Sequence, residues 1–170
     1  MTVLMIVLRF LHVVSGAVWV GMFAFMTFFL LPAFAEVGPD GAKLQAALAK
    51  RRIPVIMPVI ALITLVSGMW LYQRLSGGSI GALLKTPMGL AFGLGGLAAL
   101  LAFVVGIGLA RPFMMRSMKL AEQMKTASPA DRNSIMAEMQ KLGARGAVVN
   151  RLVMALLLFA LAAMAVARYL

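Results

Sequence analysis

Four long apolar segments constrain this chain more than any other feature. They cover about residues 3–34, 53–72, 86–110 and 148–167, and each has the roughly 20 residues that are needed to cross the hydrocarbon core of a bilayer. The sequence is 63% hydrophobic and has a mean hydropathy of +1.00, values typical of integral membrane proteins. We therefore predict an all-α fold: one four-helix transmembrane bundle in the lipid bilayer, formed by the whole chain of 170 residues.

The positions of the basic residues predict the orientation of this bundle. Twelve of the 16 Lys and Arg residues lie in the first and third connections between the apolar segments, and four lie in the second connection and the termini. Because Lys and Arg are enriched on the cytoplasmic side, we expect connections one and three in the cytoplasm and both termini outside. This distribution explains the net charge of +11 without a nucleic-acid partner.

Local signals predict where the helices begin and end. Pro32 is expected to close the first span, which we interpret as an uncleaved helix because it is far longer than the apolar region of a signal peptide. Amphipathic helical segments are expected in both cytoplasmic connections, over residues 42–52 in the first and over residues 113–125 and 128–142 in the third. The later segment of the third connection is expected to start at Ser128 and to stop at Gly143.

The first span contains His12, the only histidine of the chain, one helical turn after Arg9. Helical spacing aligns these two residues with Gly16 and Trp19 on one stripe. All five acidic residues lie outside the apolar segments, so Arg9 has no carboxylate partner of its own chain there. Arg9 therefore either reaches lipid phosphate or holds an anionic ligand beside His12. His12 in turn either donates to a neighbouring carbonyl or hydroxyl group or binds a ligand.

This stripe predicts a haem b site. Neutral imidazole is a common axial ligand of haem iron, and a nearby Arg can neutralise a propionate. In this hypothesis His12 binds the iron, Arg9 pairs with the anionic groups and Trp19 forms a pocket wall. A single histidine excludes bis-histidine ligation within one chain, so the sixth ligand would be methionine, water, a basic side chain or the histidine of a second subunit. Weaker candidate ligands lie at a similar depth: Met69, Met88 and Met164.

Two other functions stay open at this stage. Met22 and Met26 lie one turn apart, and thioether sulfur suits Cu(I), so copper handling is an alternative. The glycines of the third span, among them Gly89 and Gly93, could pack within the bundle, form a homodimer or dock an accessory subunit on a larger membrane complex. The absence of cysteine excludes thiolate metal sites, and no acid lies near His12, so no catalytic residues are identified.

Several short motifs of the chain resemble a known membrane family. They are Arg9-Phe-Leu-His12, Val18-Trp19-Val-Gly21 and Leu31-Pro32 in the first span; Arg51-Arg52, Pro58 and Gly68-Met-Trp70 around the second; and Lys85 and Asn150-Arg151 at the third and fourth. Together they are similar to the HemJ-type protoporphyrinogen oxidases and the related CopD-like membrane proteins.

The resemblance implies a small four-helix protein of the bacterial inner membrane that binds haem b through His12, with Lys85 near the site. The HemJ type is an oxidoreductase that converts protoporphyrinogen IX to protoporphyrin IX, so a tetrapyrrole is the expected ligand. This chain departs from the family pattern because it lacks a histidine in the third span and has long methionine-rich segments in the third connection.

Overall fold

The computed structural model describes residues 3–37, 41, 47–48 and 50–170, and the elements found there are all helical. Within these residues the α-helices are, in chain order, α1 (Val3–Phe25), α2 (Leu31–Glu36), α3 (Ile53–Leu75), α4 (Ile80–Leu84), α5 (Pro87–Val105), α6 (Arg111–Thr126) and α7 (Pro129–Val166). Four helical stretches of the described residues are long and apolar enough to cross a membrane: Val3–Phe34, Ile53–Leu75, Pro87–Thr126 and Pro129–Tyr169. The predicted all-α fold with four spans is confirmed, and the chain has the features of a multi-pass membrane protein.

Two π-helical turns explain why prolines do not end the first and third spans. Met26–Leu30 joins α1 to α2, and Gly106–Ala110 joins α5 to α6. Each π turn is followed, two residues later, by a proline, which lacks an N–H group and crowds the carbonyl four residues before it. The wider π turn accommodates this crowding. The prediction that Pro32 closes the first span was therefore wrong, because the helix continues to Glu36.

The helix end predicted at Gly143 was also wrong, because α7 runs from Pro129 to Val166 without a break. A glycine inside a helix costs only about 1 kcal/mol, and the apolar residues that follow pack along α5. The start of α7 is as expected. Ser128 caps it by accepting a hydrogen bond from the backbone N–H of Asp131, and Pro129 occupies the first turn.

The helix α6 and the first half of α7 form a hairpin beyond the apolar part of the third and fourth spans, as the amphipathic pattern predicted. Leu120 of α6 and Leu142 of α7 are buried. The amphipathic segment predicted over residues 42–52 lies largely outside the described residues, and the orientation of the bundle in the membrane stays a prediction.

The four long helices pack as two closely associated pairs. The most extensive contacts join α5 to α7 and α1 to α3, whereas α3 meets α5, and α1 meets α7, over shorter stretches. The two pairs meet at a core that contains Trp19, which is 5% exposed. Its ring contacts Phe103 edge-on at 6.5 Å between centroids. The core thus lies between the pairs, and each pair has its own interface.

Candidate functional site

The interface between α1 and α3 is the polar part of the membrane-spanning bundle. The two helices can approach closely because glycines occur on both sides: Gly16 of α1 faces the Thr64 side chain, and Gly68 of α3 faces the imidazole of His12. A Cβ atom on Gly68 would lie 2.6 Å from Cε1 and 2.8 Å from Nδ1 of His12, too close for any real side chain. Glycine at position 68 is thus what leaves room for the ring.

A hydrogen bond across this interface fixes the orientation of His12. Its Nδ1 atom lies 2.9 Å from the backbone carbonyl oxygen of Thr64. A carbonyl oxygen can only accept, so Nδ1 carries the hydrogen and donates it. In the neutral ring this leaves Nε2 with its lone pair, which is the form that binds a metal. The contact is also the one expected of a histidine that simply ties two helices together.

Three hydroxyl groups complete the polar interface. Thr64 Oγ1 lies 2.8 Å from Ser15 Oγ and 3.0 Å from the Ile60 carbonyl oxygen, and its single hydrogen can be donated to either. Ser15 donates to the Leu11 carbonyl, and Ser67 lies within hydrogen-bond distance of the Thr64 carbonyl that also accepts from His12. Thr64 and Ser67 are 7% and 4% exposed. These buried hydroxyls are satisfied, as an apolar environment requires.

The Nε2 atom of His12 makes no hydrogen bond to the described residues of this interface. His12 is half-buried. Over the same part of the chain no buried side-chain nitrogen or oxygen atom lacks a partner, so Nε2 is not completely enclosed by the described residues. A shallow apolar groove of about 230 Å³ runs along the same helix pair beside Leu11, Ser15 and Ile63, and His12 does not line it.

The other residues of the predicted haem site lie apart from this contact. Arg9 is exposed, one turn before His12 on α1. Trp19 lies two turns beyond His12 and is buried in the core against Phe103, where it supports the bundle. Lys85 is exposed at the end of α4. The structure therefore brings Thr64 and Gly68 to His12, and it shows no contact between His12 and the other three predicted residues.

The structure shows no contact between His12 and the methionine candidates among the described residues. Met69 follows Gly68 but is 70% exposed. Met88 and Met164 are half-buried, and Met164 packs near Gly95. For the copper hypothesis, Met22 and Met26 are both half-buried. Among the described residues, no group of three or more His, Cys, Asp or Glu side chains could hold a metal ion.

Several glycines of the third span contact other helices of the same chain. The Tyr72 hydroxyl donates to the Gly89 carbonyl at 3.0 Å, and a Cβ on Gly93 would lie 3.2 Å from the same hydroxyl. A Cβ on Gly95 would meet Ala163 and Ala160 of α7, whereas one on Gly96 would meet nothing within 4 Å. The spacing of Tyr72 from these glycines in the sequence gives no indication of this hydrogen bond.

Comparisons with protein-family models, with curated proteins and with solved structures found no match to this chain.

Proposed function

We propose that this chain is a haem b-binding redox protein of the bacterial inner membrane, with His12 as an axial ligand of the iron. The observation that supports the proposal is the Nδ1 contact of His12 with the Thr64 carbonyl at 2.9 Å. Ligating histidines typically donate their second N–H to a carbonyl or carboxylate, which fixes the ring and makes the ligating nitrogen more basic. His12 has this arrangement on a membrane helix, and its Nε2 is not completely enclosed by the described residues.

The residues of the α1–α3 interface have distinct tasks in this proposal. Thr64 holds the tautomer in which Nε2 is unprotonated, and Gly68 leaves the space that the ring occupies beside α3. Ser67 lies 2.6 Å from the Ile63 carbonyl oxygen and 3.1 Å from the same Thr64 carbonyl oxygen, to either of which its hydroxyl can donate. The ring therefore has little rotational freedom, so a ligand at Nε2 would be held in one orientation without further ordering of the side chain.

Two exposed cations would pair with the anionic groups of the ligand. Arg9 lies on the turn of α1 before His12 and has no acidic partner among the described residues. Its planar guanidinium suits a carboxylate such as a haem propionate. Lys85 enters through the resemblance to the HemJ type, which also suggests protoporphyrinogen IX as the substrate. Bound haem b would supply one-electron transfer at its iron.

Optical spectroscopy tests this proposal. The protein, purified in detergent from haem-supplemented cells, is expected to show a Soret band, with sharp α and β bands after dithionite reduction. The ratio of haem to protein is measured on the same sample. One haem per two chains would indicate that His12 of two copies ligates one iron, because each chain has a single histidine. A colourless protein would overturn the proposal.

A matched pair of variants separates iron ligation from the helix–helix contact. In His12→Asn the side-chain amide nitrogen takes approximately the place of Nδ1 and can still donate to Thr64, but no atom corresponds to Nε2. His12→Ala removes both functions. If Nε2 binds iron, both variants lose the Soret band, while His12→Asn keeps the stability of the haem-free wild type in SDS-driven unfolding. An unchanged Soret band in His12→Asn would exclude His12 as the ligand.

A further inference from the structure

The hairpin of α6 and α7 contains a cleft of about 390 Å³ that plays no part in the proposed haem site. The cleft is lined by Arg116 of α6 and by Ala137, Glu138, Lys141, Leu142 and Arg145 of α7. Its polar side chains come from both helices, and its lining includes Leu142, which is buried. The cleft is thus formed by both helices of the hairpin, and its lining combines charged and apolar side chains.

The charges around this cleft favour an anion. Three of its lining residues are basic and one is acidic. The guanidinium of Arg116 contacts the carboxylate of Glu138, which holds Arg116 across the hairpin. Lys141 and Arg145 lie one turn apart on α7, and neither forms an ion pair within the part of the chain that the structure describes. Two cations therefore face the cleft with no acidic partner from the described residues.

The pairing of Arg116 with Glu138 also shows how far along the hairpin the cleft lies from the apolar part of the third span. Because α6 and α7 run in opposite directions, a residue seven positions after Glu138 lies opposite one about seven positions before Arg116. Arg145 is thus level with about Leu109, in the second π turn, which contacts α7. The apolar part of the third span ends there, because Arg111 is the next charged residue. The cationic end of the cleft lies where a bilayer has its headgroups.

From this arrangement we infer that the cleft binds the phosphate headgroup of an anionic phospholipid. Arg and Lys are the residues that recognise phosphate in proteins, and basic pockets between helices at the membrane surface bind anionic headgroups. A lipid suits the site better than free phosphate because the cleft lies at headgroup depth and has Leu142 and Ala137 beside the charges. This inference is independent of the haem proposal.

Lipid binding can be measured on the full chain in detergent. Native mass spectrometry gives the Kd of the first bound lipid for phosphatidylglycerol and for phosphatidylcholine at the same ionic strength. We expect phosphatidylglycerol to bind more tightly. Each basic residue that hydrogen-bonds the charged headgroup contributes to the affinity, so the double variant Lys141→Gln/Arg145→Gln should weaken phosphatidylglycerol binding by about tenfold or more. Glu138→Gln removes the only acid lining the cleft and should strengthen binding.

The matched control is Lys119→Gln/Arg132→Gln, which removes the same charge from exposed positions of the same hairpin outside the cleft. This control should change the Kd by less than the cleft variant does. An equal loss in both double variants would overturn the inference, since it would reflect the overall charge of the hairpin alone. Competition by millimolar inorganic phosphate as effective as that of the lipid would also overturn it, because the site would then recognise free phosphate.

Discussion

The two helix pairs of the bundle are held together by different chemistry. Between α5 and α7 the contact surface is apolar, and its buried residues include Ala98, Ala102, Val153 and Leu157. Between α1 and α3 the contact surface contains an imidazole and three hydroxyl groups that hydrogen-bond to one another and to backbone carbonyls. Both interfaces rely on small residues, but only one of them contains an ionisable group.

This difference suggests different roles for the two interfaces: stability for the α5–α7 contact and the proposed ligand site for the α1–α3 contact. Helices in a bilayer gain little from the hydrophobic effect when they associate, so close packing of small residues has to supply the stability. In the part of the chain that the structure describes, the α5–α7 interface does this with apolar contacts. Polar interhelical hydrogen bonds contribute on average only about 0.6 kcal/mol, so the α1–α3 interface has little to gain in stability from a histidine. That imbalance is a physical reason to assign His12 a function.

The largest expected effect is at the apolar interface. Gly95→Leu should lower the free energy of unfolding by about 2–3 kcal/mol, because overpacking a close helix contact forces the helices apart. A Cβ at this position would already lie 3.2 Å from Ala163 and 3.3 Å from the Ala160 carbonyl oxygen. SDS-driven unfolding followed by circular dichroism measures the change.

The adjacent glycine provides the control for this prediction. Gly96 has no atom within 4 Å of the place where a Cβ would lie, so Gly96→Leu should leave the stability unchanged or raise it by up to about 1 kcal/mol through helix propensity. Equal destabilisation by the two variants would contradict the assignment of Gly95 to the α5–α7 contact and would indicate that the third span needs glycine for another reason.

A smaller effect is expected at the polar interface. Gly68→Ala introduces a methyl group 2.6 Å from the His12 ring, which should displace the imidazole from the Thr64 carbonyl at a cost of about 1–2 kcal/mol. Gly16→Ala makes an ordinary 3.4 Å contact with Thr64, and Gly21→Ala meets nothing within 4 Å. The loss of stability should therefore decrease from position 68 to 16 to 21.

The same series tests the haem proposal. Gly68→Ala should lower haem content or shift the Soret band, because it moves the ring that is proposed to bind the iron. Gly21→Ala should leave the spectrum unchanged. A Gly68→Ala protein with an unaltered spectrum, despite a measurable loss of stability, would show that the orientation of His12 does not matter for the ligand.

The sequence predicted the class of fold because length and apolarity alone determine which segments can span a bilayer. It failed at Pro32 and Gly143, where a local breaker signal was outweighed by the structure around it: a π turn in the first case and continued packing along α5 in the second. Both residues are ones that end helices in isolation, and neither does so when the flanking segments are already held in place.

Of the candidate site, the sequence predicted the residues on α1 but not their partners on α3. His12 and Arg9 stand out because ionisable residues are rare in apolar segments. The partners of His12 come from α3, 52 residues along the chain from it in the case of Thr64, and pairing between helices cannot be read from the spacing within either helix. The burial of Trp19 against Phe103 was missed for the same reason.

The smallest effect is expected where the two helix pairs meet at the ends of α3 and α5. Tyr72→Phe removes the hydroxyl that donates to the Gly89 carbonyl and keeps the ring beside Gly93, so the loss should be about 0.6 kcal/mol, the average for such bonds in membrane proteins. Tyr169→Phe is the control, because Tyr169 is 76% exposed and should change nothing. SDS-driven unfolding again measures both. A loss at Tyr72 larger than that of Gly68→Ala would reverse the comparison, since the contact between the pairs would then outweigh the polar interface within one of them.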